Sequence, residues 1–401
     1  MVSNFKPTTD TYLPGAKTLP AKYYTSEQIF EKEKKKIFEK FWFCLGHTGR
    51  IPNKGDYFLI EALGEPFIVL RDKNDQIKVF YNVCSHRGTL VCKPNRSGAT
   101  EGKFNRKTLQ CHYHGWTYDM DGRLLSAPGM EEIADFDFAS NGLTSPPLYI
   151  WEGFIFISFV NDPIPFEQIY GPMLGRLEDW KIGSLIRGHT ETYKVKANWK
   201  LIFLNFNECL HCGIAHKTLS KFIGDKSAQN DLSDGPFLGG LMEILNGADS
   251  VTSSGQFCAL PLGGQLTEKT ARKGWYYTIL GNLLLNIHPD YLMFHCLYPQ
   301  SATETRIESD WLFNPDSDTT LGEKFAKNEP VEVWAKTNAE DWELCEMAQR
   351  GITSRAYRPG KYSNRESLLI AFDEYYLQLM NNNFMNYIRR RIKWLTSMLW
   401  K

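Results

Sequence analysis

The feature of this sequence that most limits its fold is a pair of short motifs, each offering one cysteine and one histidine. The first reads Cys84-Ser-His86-Arg-Gly and the second Cys111-His-Tyr-His114-Gly-Trp, with residues 87–110 between them. Two thiolates and two imidazoles can bind a zinc ion or a two-iron cluster. A structural zinc site more usually keeps its cysteines together and its histidines together. The mixed pairs therefore favour a cluster with both cysteines on one iron and both histidines on the other.

The residues around these motifs predict a β-rich module that presents them on loops. A hairpin is indicated by Asp121-Gly122 between two short β-type runs. Further strands are expected at residues 56–61, 67–71, 77–82 and 151–159. We therefore expect an all-β domain over residues 45–160. Residues 1–44 read as an extended arm and a helix, which the capping box Thr25-Ser26-Glu27-Gln28 begins and which runs to about residue 42.

The remainder, residues 161–401, predicts a domain of mixed helices and antiparallel strands, so the chain as a whole is placed in the α+β class. Residues 225–270 are rich in Gly, Ser and Asp, and we expect loops or a mobile lid there. Strands are expected at 189–195, 274–284, 290–298 and 303–313, and helices at 331–352 and 367–387.

Composition excludes several classes of function. The formal net charge is zero, which gives no reason to expect nucleic acid as a partner, and no window is apolar for the roughly 18 residues of a membrane span. Nine cysteines without a secretory signal argue for a cytoplasmic, reducing location and against a disulfide framework. The basic segment 387–401 fits a surface helix or loose tail better than a membrane-binding one.

A second motif, residues 205–216, reads Asn-Phe-Asn-Glu-Cys-Leu-His-Cys-Gly-Ile-Ala-His and offers a carboxylate and two imidazoles. Glu208 and His211 would share a helix face, but His211 and His216 are five residues apart, about 140° around an ideal helix. Either the helix ends near Gly213 or a π-type bulge realigns the two rings. This stretch alone leaves a zinc site, an iron site and two unrelated histidines open.

Together the two motifs resemble the large (alpha) subunit of Rieske non-haem iron oxygenases. The resemblance implies an N-terminal Rieske [2Fe-2S] domain and a helix-grip (START-like) catalytic domain, with the arm and helix of residues 1–44 packed on the latter. It assigns Cys84 and Cys111 as sulfur ligands, and His86 and His114 as nitrogen ligands. His112 reads as an ordinary loop histidine. Residues 99–107 look like a small insertion relative to the family.

The family also holds a mononuclear Fe(II) with two histidines and one carboxylate. The resemblance assigns His211 and His216 to that iron, with Asp341 as the third ligand and Glu340 or Asp373 as alternatives. It places Asn205 and Glu208 in the catalytic machinery. Glu208 takes the position of the acidic residue that bridges to the Rieske histidine of a neighbouring subunit; most members carry Asp there, and Leu210 stands where Tyr is common.

Two segments resemble the branch that acts on choline, glycine betaine and carnitine: the Asn-x-Asn-Glu-Cys-x-His-Cys run and Gln349-Arg-Gly-Ile-x-Ser-x-Ala-Tyr near the end. That branch implies O2-dependent hydroxylation or N-demethylation of a small quaternary ammonium compound, a flavin/iron-sulfur reductase as electron donor and a homotrimer. Aromatic faces attract such cations. The run Trp275-Tyr276-Tyr277 is therefore a candidate wall of the substrate site, with Trp275 and Tyr277 as the candidate substrate contacts, although core packing explains the run at least as well.

Three other interpretations stay open. An aromatic-ring-hydroxylating dioxygenase would share the metal sites and often add a small β subunit. A Rieske electron-transfer protein would need no second iron, and a zinc-stabilised binding protein would be colourless.

Overall fold

The structure, a computed structural model, describes residues 5–95, 97–104, 107–317 and 329–381. The chain divides into two compact units. The smaller comprises Leu45–Asp162, and the larger comprises residues 1–44 together with 163–401. The basic segment 387–401 lies outside the described residues. Within the described ranges, no helix combines the length and the apolar character needed to cross a bilayer.

The smaller unit is built from three antiparallel sheets with strand orders β5-β4-β3-β6, β7-β8-β9 and β10-β11-β2. Its strands are β2 (Phe43–His47), β3 (Asp56–Ala62), β4 (Glu65–Arg71), β5 (Ile77–Tyr81), β6 (Glu101–Lys103), β7 (Thr108–Gln110), β8 (Thr117–Asp119), β9 (Leu124–Ser126), β10 (Leu148–Trp151) and β11 (Phe154–Ile157).

The core of this unit lies directly beneath the two Cys/His motifs. Buried side chains of two strands, Ile68 and Leu70 of β4 and Tyr118 of β8, pack with Cys84 and Cys111. The expected single strand at 151–159 is wrong: Glu152 and Gly153 adopt positive φ angles, and the segment folds as the β10–β11 hairpin. The expected insertion supplies β6, which pairs with β3, so it extends a sheet and leaves the motif loops intact.

The larger unit is organised on an eight-stranded antiparallel sheet of order β1-β13-β14-β15-β16-β17-β18-β12. These strands are β1 (Lys6–Pro7), β12 (Ile186–Val195), β13 (Gln229–Ser233), β14 (Phe237–Glu243), β15 (Lys273–Ile279), β16 (Leu283–Ile287), β17 (Tyr291–Ser301) and β18 (Glu304–Phe313).

Its helices are α1 (Lys22–Thr25), α2 (Glu27–Glu33), α3 (Phe166–Tyr170), α4 (Trp199–Phe206), α5 (Cys212–Ala215), α6 (Pro330–Ile352) and α7 (Ser367–Met380). The α6 helix packs on one face of the sheet, where Trp334 joins a buried cluster with Tyr291, Met293 and Trp311. It also contacts α4 and β12. One helix thus connects the sheet to the segment that follows α4.

Two expectations about the sheet are wrong. The strand expected at 274–284 is two strands, because the chain turns at Gly281, which has φ +122° and would meet the backbone carbonyl of Trp42 if it carried a Cβ. The loops expected over 225–270 include β13 and β14, which pair as a hairpin within the sheet. Small residues there, such as Gly239 and Gly240, let neighbouring backbones approach closely.

The N-terminal helix begins where the sequence indicates and ends earlier. The Ser26 hydroxyl caps α2 by accepting a hydrogen bond from the Ile29 amide at 3.3 Å. The helix continues as a π-helical turn over Lys34–Phe38 and stops there, short of residue 42. Its buried Glu33 accepts hydrogen bonds from Lys200 and Trp199 of α4, so α2 fixes the start of the helix that leads into the second motif.

Candidate metal centres

The two Cys/His motifs occupy loops of the same construction. In each loop the cysteine carbonyl accepts a hydrogen bond from a glycine four residues later, Gly88 for Cys84 at 3.0 Å and Gly115 for Cys111 at 3.1 Å. Both glycines have positive φ, +72° and +78°, which side-chain-bearing residues rarely adopt. The Gly that lies four residues after the cysteine in each motif is therefore required by the turn that returns the chain.

The four expected cluster ligands come together within the smaller unit. Both cysteines are 2% exposed and lie beside each other, and the His86 and His114 rings are 4.6 Å apart between centroids. His86 also stacks on Trp116 at 4.6 Å. Burial, together with the Cys84 thiol, raises the pKa of Cys111, so a thiolate here needs a compensating positive charge.

The donor set fits a [2Fe-2S] cluster. The Nδ1 atom of His86 is buried and has no hydrogen-bond partner among the residues that the structure describes. Buried polar atoms without partners are rare, and a buried ring nitrogen left free in this way is suited to bind a metal. Two sulfur and two nitrogen ligands on two loops match the ligand set of a Rieske cluster.

Tyr118 is placed to influence the cluster through its sulfur ligand. Its hydroxyl is 3.1 Å from Cys84 Sγ and 2.9 Å from Ser85 Oγ. Burial and the neighbouring Cys84 raise the pKa of Tyr118 to about 12, so the phenol keeps its proton and can donate it to the sulfur. Hydrogen bonds to cluster sulfurs are one means by which a protein sets the reduction potential.

The second motif does not continue the helix before it. The α4 helix begins at the Asn198 cap and ends at Phe206, earlier than either expected arrangement. A separate turn of helix, α5, then has His211 at its N-terminal cap and His216 at its C-terminal cap. The two rings reach one point because they flank a single helical turn, with centroids 5.0 Å apart.

Asp341, in the middle of α6, adds a carboxylate at the point where the two histidine rings meet. Its Oδ1 lies 3.1 Å from His211 Nε2 and 3.0 Å from His216 Nε2. Asn205 donates a hydrogen bond to the same oxygen at 3.0 Å. Two imidazole nitrogens and a carboxylate oxygen converging on one position form the donor set of a 2-His-1-carboxylate iron site, which leaves positions open for dioxygen.

Carboxylates also hold the outer nitrogen of each histidine. The Nδ1 of His211 lies 2.5 Å from Glu208, and the Nδ1 of His216 lies 2.8 Å from Glu340. Such bonds fix the tautomer so that Nε2 faces the metal. Burial would lower the pKa of His211, but hydrogen bonds to Asp341 and Glu208 outweigh it and raise the pKa to about 10. These carboxylates equally stabilise a bound cation.

The geometry distinguishes the three carboxylates considered for the iron. Only Asp341 faces both Nε2 atoms within the described part of the chain; Glu340 bonds the far side of His216. Asp373 lies elsewhere, hydrogen-bonded to Tyr362 at 2.7 Å. Its pKa is raised to about 7 by burial, so it is a core carboxyl beneath α4.

Cys209 and Cys212 form a disulfide in this structure, which the sequence argument against a disulfide framework did not include. The sulfur of Cys212 comes within 4.8 Å of the histidine ligand atoms. A sulfur already bonded to another cysteine is not available as a thiolate ligand, so Asp341 is the better third donor.

The structure does not bring Trp275 and Tyr277, the predicted substrate contacts, to the cavity beside the histidines. Alternate residues of a strand face opposite sides of a sheet, and both lie on the face away from the histidines. Tyr277 there donates hydrogen bonds to the buried Asp231, and Trp275 packs against Trp180. The residue between them, Tyr276, instead lines the cavity beside the histidines.

That cavity is the candidate substrate site, here called the iron-side cavity. Sequence reasoning missed most of its walls, which lie on different strands and helices. The strand alternation around Tyr276 was the one available signal, but the face of the sheet was unknown. Its lining joins the metal-site residues to side chains of α4, α6, the sheet and the short 3-10 turn after α5: Phe206, Leu219, Met242, Tyr276, Asn286, Trp334 and Thr337.

Comparison with known proteins agrees with this geometry. The family model described as the ring hydroxylating alpha subunit (catalytic domain) matches residues 182–382, and the Rieske [2Fe-2S] domain model matches residues 41–137. The glycine betaine monooxygenase oxygenase subunit of Pseudomonas aeruginosa is 31% identical over 91% of this chain and 90% of its own length.

Two further relatives are a curated protein and a solved structure. The carnitine monooxygenase oxygenase subunit of Escherichia coli is 35% identical over 51% of this chain and 53% of its own. The solved structure is that of a quaternary ammonium Rieske monooxygenase, reported in connection with carnitine oxidation and inter-subunit electron transfer. Its superposition with this chain has a TM-score of 0.75. The two chains are 25% identical, and the match covers 91% of this chain and 95% of the solved one.

Proposed function

This chain belongs to the family of Rieske oxygenase alpha subunits, and we propose that it oxidises an N-methyl group or a neighbouring carbon of a small quaternary ammonium compound. The observation that carries the proposal is the convergence of His211, His216 and Asp341 beside a cavity with aromatic walls. A protein that only carried electrons would have no use for this second site.

The walls of the iron-side cavity favour a cationic substrate. Phe206, Tyr276 and Trp334 provide aromatic faces, which attract a quaternary ammonium by about 0.5 to 2 kcal/mol per contact. Glu208 and Asp341 add negative charge, and the lining contributed by the described residues includes no Lys or Arg. These features favour methylammonium compounds over the neutral arenes of a ring-hydroxylating dioxygenase.

The reaction balances with one dioxygen, two electrons and two protons. One oxygen atom enters the C–H bond of an N-methyl group, and the other leaves as water. The resulting N-hydroxymethyl group releases formaldehyde, and the demethylated amine remains. If the oxidised carbon is instead the carbinol of a choline-like substrate, the product is an aldehyde hydrate.

The protein residues supply the arrangement in which this happens. The [2Fe-2S] cluster would be held by Cys84, Cys111, His86 and His114. The Fe(II) would be held by the triad of His211, His216 and Asp341. When bound, these groups transfer electrons and activate dioxygen. The chain itself orients the ligands: Asn205 holds the Asp341 carboxylate, and Glu340 holds His216.

We infer that Glu208 receives electrons from the cluster of a neighbouring subunit. Glu208 and His211 border an open groove walled by Leu201 and Leu344. In the same motif, the apolar side chains of Leu210 and Ile214 are 37% and 81% exposed and add apolar surface to this region. A second subunit covering this surface would shield it, in agreement with a homotrimer. Electrons would enter the complex from a flavin/iron-sulfur reductase.

The substrate class is tested by measuring formaldehyde release. The purified protein, loaded with both iron groups and supplied with a reductase, is given glycine betaine, carnitine and choline, and choline is also assayed for its aldehyde. At least one compound should be oxidised with matching O2 consumption. His211→Ala should abolish turnover while the cluster spectrum stays. Oxidation of arenes with no reaction of any ammonium compound would contradict the proposal.

The inter-subunit route is tested by mixing two inactive variants. Cys84→Ala removes the cluster of one subunit and His211→Ala removes the iron of another, so each variant alone should be inactive. Co-expressed, they should form mixed assemblies in which an intact cluster faces an intact iron site, and part of the activity should return. Mixed assemblies with no activity would show that electrons stay within one subunit.

A further inference from the structure

We propose that Tyr276 and Asn286 bind the oxygen-bearing end of the substrate and so determine which carbon faces the iron. This inference rests on the proposed function and adds to it the residues that recognise the half of the substrate opposite its ammonium group. It is carried by the positions of the two side chains and by the hydrogen bonds that they lack.

The two residues are neighbours across the sheet. Tyr276 on β15 pairs directly with Asn286 on β16, so their side chains point to the same face. Both line the iron-side cavity, whose other walls include Trp334 and Asp341 of α6. Tyr276 and Asn286 therefore form the sheet side of this cavity, while the iron ligands and α6 contribute other walls.

Both side chains have polar atoms that need partners. Asn286 is 1% exposed, and neither its Oδ1 nor its Nδ2 is hydrogen-bonded within the described ranges. The Tyr276 hydroxyl is likewise buried and unpaired there. Nearly all buried polar groups in proteins are paired, because losing water without a replacement bond is unfavourable. Three such atoms on one cavity wall indicate a site where a ligand completes the hydrogen bonds.

The neighbouring atoms of the same wall are fully paired. Trp334 donates its indole N–H to the Tyr291 hydroxyl at 2.7 Å, and the Thr337 hydroxyl donates to the Val333 carbonyl at 2.9 Å. Among the described residues that line the iron-side cavity, the missing partners are thus confined to Tyr276 and Asn286. Behind this wall, the buried His288, whose ring lies 6.2 Å from that of Tyr276, also has two unpaired nitrogens but does not line the cavity.

The donors define the chemistry of the ligand. Burial raises the pKa of Tyr276, so its phenol stays protonated and can donate. The amide of Asn286 provides a second donor on the adjacent strand. Two neutral donors suit an oxygen acceptor, either a carboxylate or a hydroxyl oxygen. Aromatic faces elsewhere in the cavity, from Trp334 and Phe206, suit the methylammonium group.

With this assignment, the cavity would select substrates by the distance between their oxygen atom and their ammonium nitrogen. A substrate held by its oxygen on the sheet side and by its ammonium on the aromatic side can present only one set of methyl hydrogens toward the triad. Lengthening the chain between oxygen and nitrogen would change the carbon that faces the metal. Tyr276 and Asn286 would then be specificity-determining residues for this reaction.

The test measures binding directly, with the loaded protein kept free of oxygen so that no turnover occurs. Calorimetric titrations use glycine betaine, choline and tetramethylammonium, which offer a carboxylate, a hydroxyl and no oxygen, respectively. Tyr276→Phe and Asn286→Leu should each weaken binding of at least one oxygen-bearing compound about tenfold, the value of one lost hydrogen bond. Binding of tetramethylammonium should change less than about twofold.

Tyr277→Phe is the matched control, because it removes an equally buried hydroxyl from the opposite face of the same strand. It should leave all three affinities unchanged. The compound whose binding weakens identifies the oxygen as carboxylate or hydroxyl. Tyr276→Phe keeps the ring and decides the question alone if Asn286→Leu fails to fold, as judged by circular dichroism and thermal unfolding.

Two results would overturn the inference while leaving the proposed function intact. One is unchanged binding of both oxygen-bearing compounds to Tyr276→Phe, and the other is an equal loss for tetramethylammonium, which would indicate general damage to the cavity. If the unmodified protein bound none of the three compounds and oxidised no ammonium compound, the proposed function itself would fail.

Discussion

The cluster loops and the iron site are both metal centres, yet the chain builds them in different ways. Each cluster loop is self-contained, since a cysteine and a glycine four residues later close it by a backbone hydrogen bond. The iron site instead joins His216 to Asp341, 125 residues further along and on another helix. A local motif therefore specifies the first centre, whereas the second exists only when the large sheet has placed α6 against α4.

The ligands are also held differently at the two centres. At the iron site, carboxylates bond the outer nitrogen of both histidines. At the cluster loops, the His86 ring instead stacks on Trp116. The polar contact there is made to a sulfur ligand, by the Tyr118 hydroxyl to Cys84 Sγ. Carboxylates stabilise a dication that must stay bound with open positions, while a neutral donor adjusts the cluster without adding charge.

The largest expected effect is the complete loss of one metal group while the other stays bound. Cys84→Ala should remove both cluster irons and the visible spectrum while the mononuclear iron stays. Asp341→Asn should do the reverse, because an amide is a poor replacement for the anionic ligand. Both variants should lose turnover. Iron content with absorption spectra checks this, and loss of all iron in either variant would contradict the independence of the two centres.

Glu340→Gln is the graded control for Asp341→Asn at the next position of the same helix. It changes the bond to the outer nitrogen of His216 and leaves the facing oxygen of Asp341 in place. Losing such an outer bond typically lowers metal affinity or activity by roughly 10- to 100-fold. An effect as complete as that of Asp341→Asn would mean that Glu340 binds the metal directly.

The sequence predicts the local cluster loops better than it predicts the iron site, which is assembled from distant segments. The Cys/His spacing indicated all four cluster ligands, because the spacing itself encodes the loops. The α+β class and the long helix at Pro330–Ile352 are confirmed, because long segments with a regular hydrophobic period are the most reliable secondary-structure signal in a sequence. Asp341 required a family resemblance, because nothing near it in sequence distinguishes one exposed helix carboxylate from another.

The errors have physical causes as well. The hairpin at Gly281 was read as one strand, because apolar residues continue through the turn and the tight approach to Trp42 is a tertiary contact. Within the candidate wall 275–277, the prediction singles out Trp275 and Tyr277, because alternation shows that two faces exist without showing which one lies beside the histidines. The Ser/Gly-rich run containing β13 pairs within the sheet despite its composition, since tertiary context overrides propensity.

The smallest expected effect tests whether the cluster is adjusted by a neutral hydrogen bond. Tyr118→Phe removes the hydroxyl 3.1 Å from Cys84 Sγ, and that bond stabilises the reduced cluster, whose sulfurs carry more negative charge. Loss of about 1 kcal/mol in a one-electron couple lowers the reduction potential by about 40 mV. Redox titration followed by EPR measures this shift.

Tyr113→Phe serves as the comparison for Tyr118→Phe, because Tyr113 is 55% exposed beside His114 and its hydroxyl makes no hydrogen bond to sulfur in the described residues. The Tyr113 backbone amide, which bonds Cys111, is the same in both proteins. Its potential should stay within about 10 mV of the unmodified protein, since an exposed hydroxyl is already solvated. If both variants shifted equally, solvent access to the cluster would set the potential. A shift confined to Tyr118→Phe would show that the buried hydroxyl does so, and that the cluster is adjusted at its sulfur while the iron is held through its histidines.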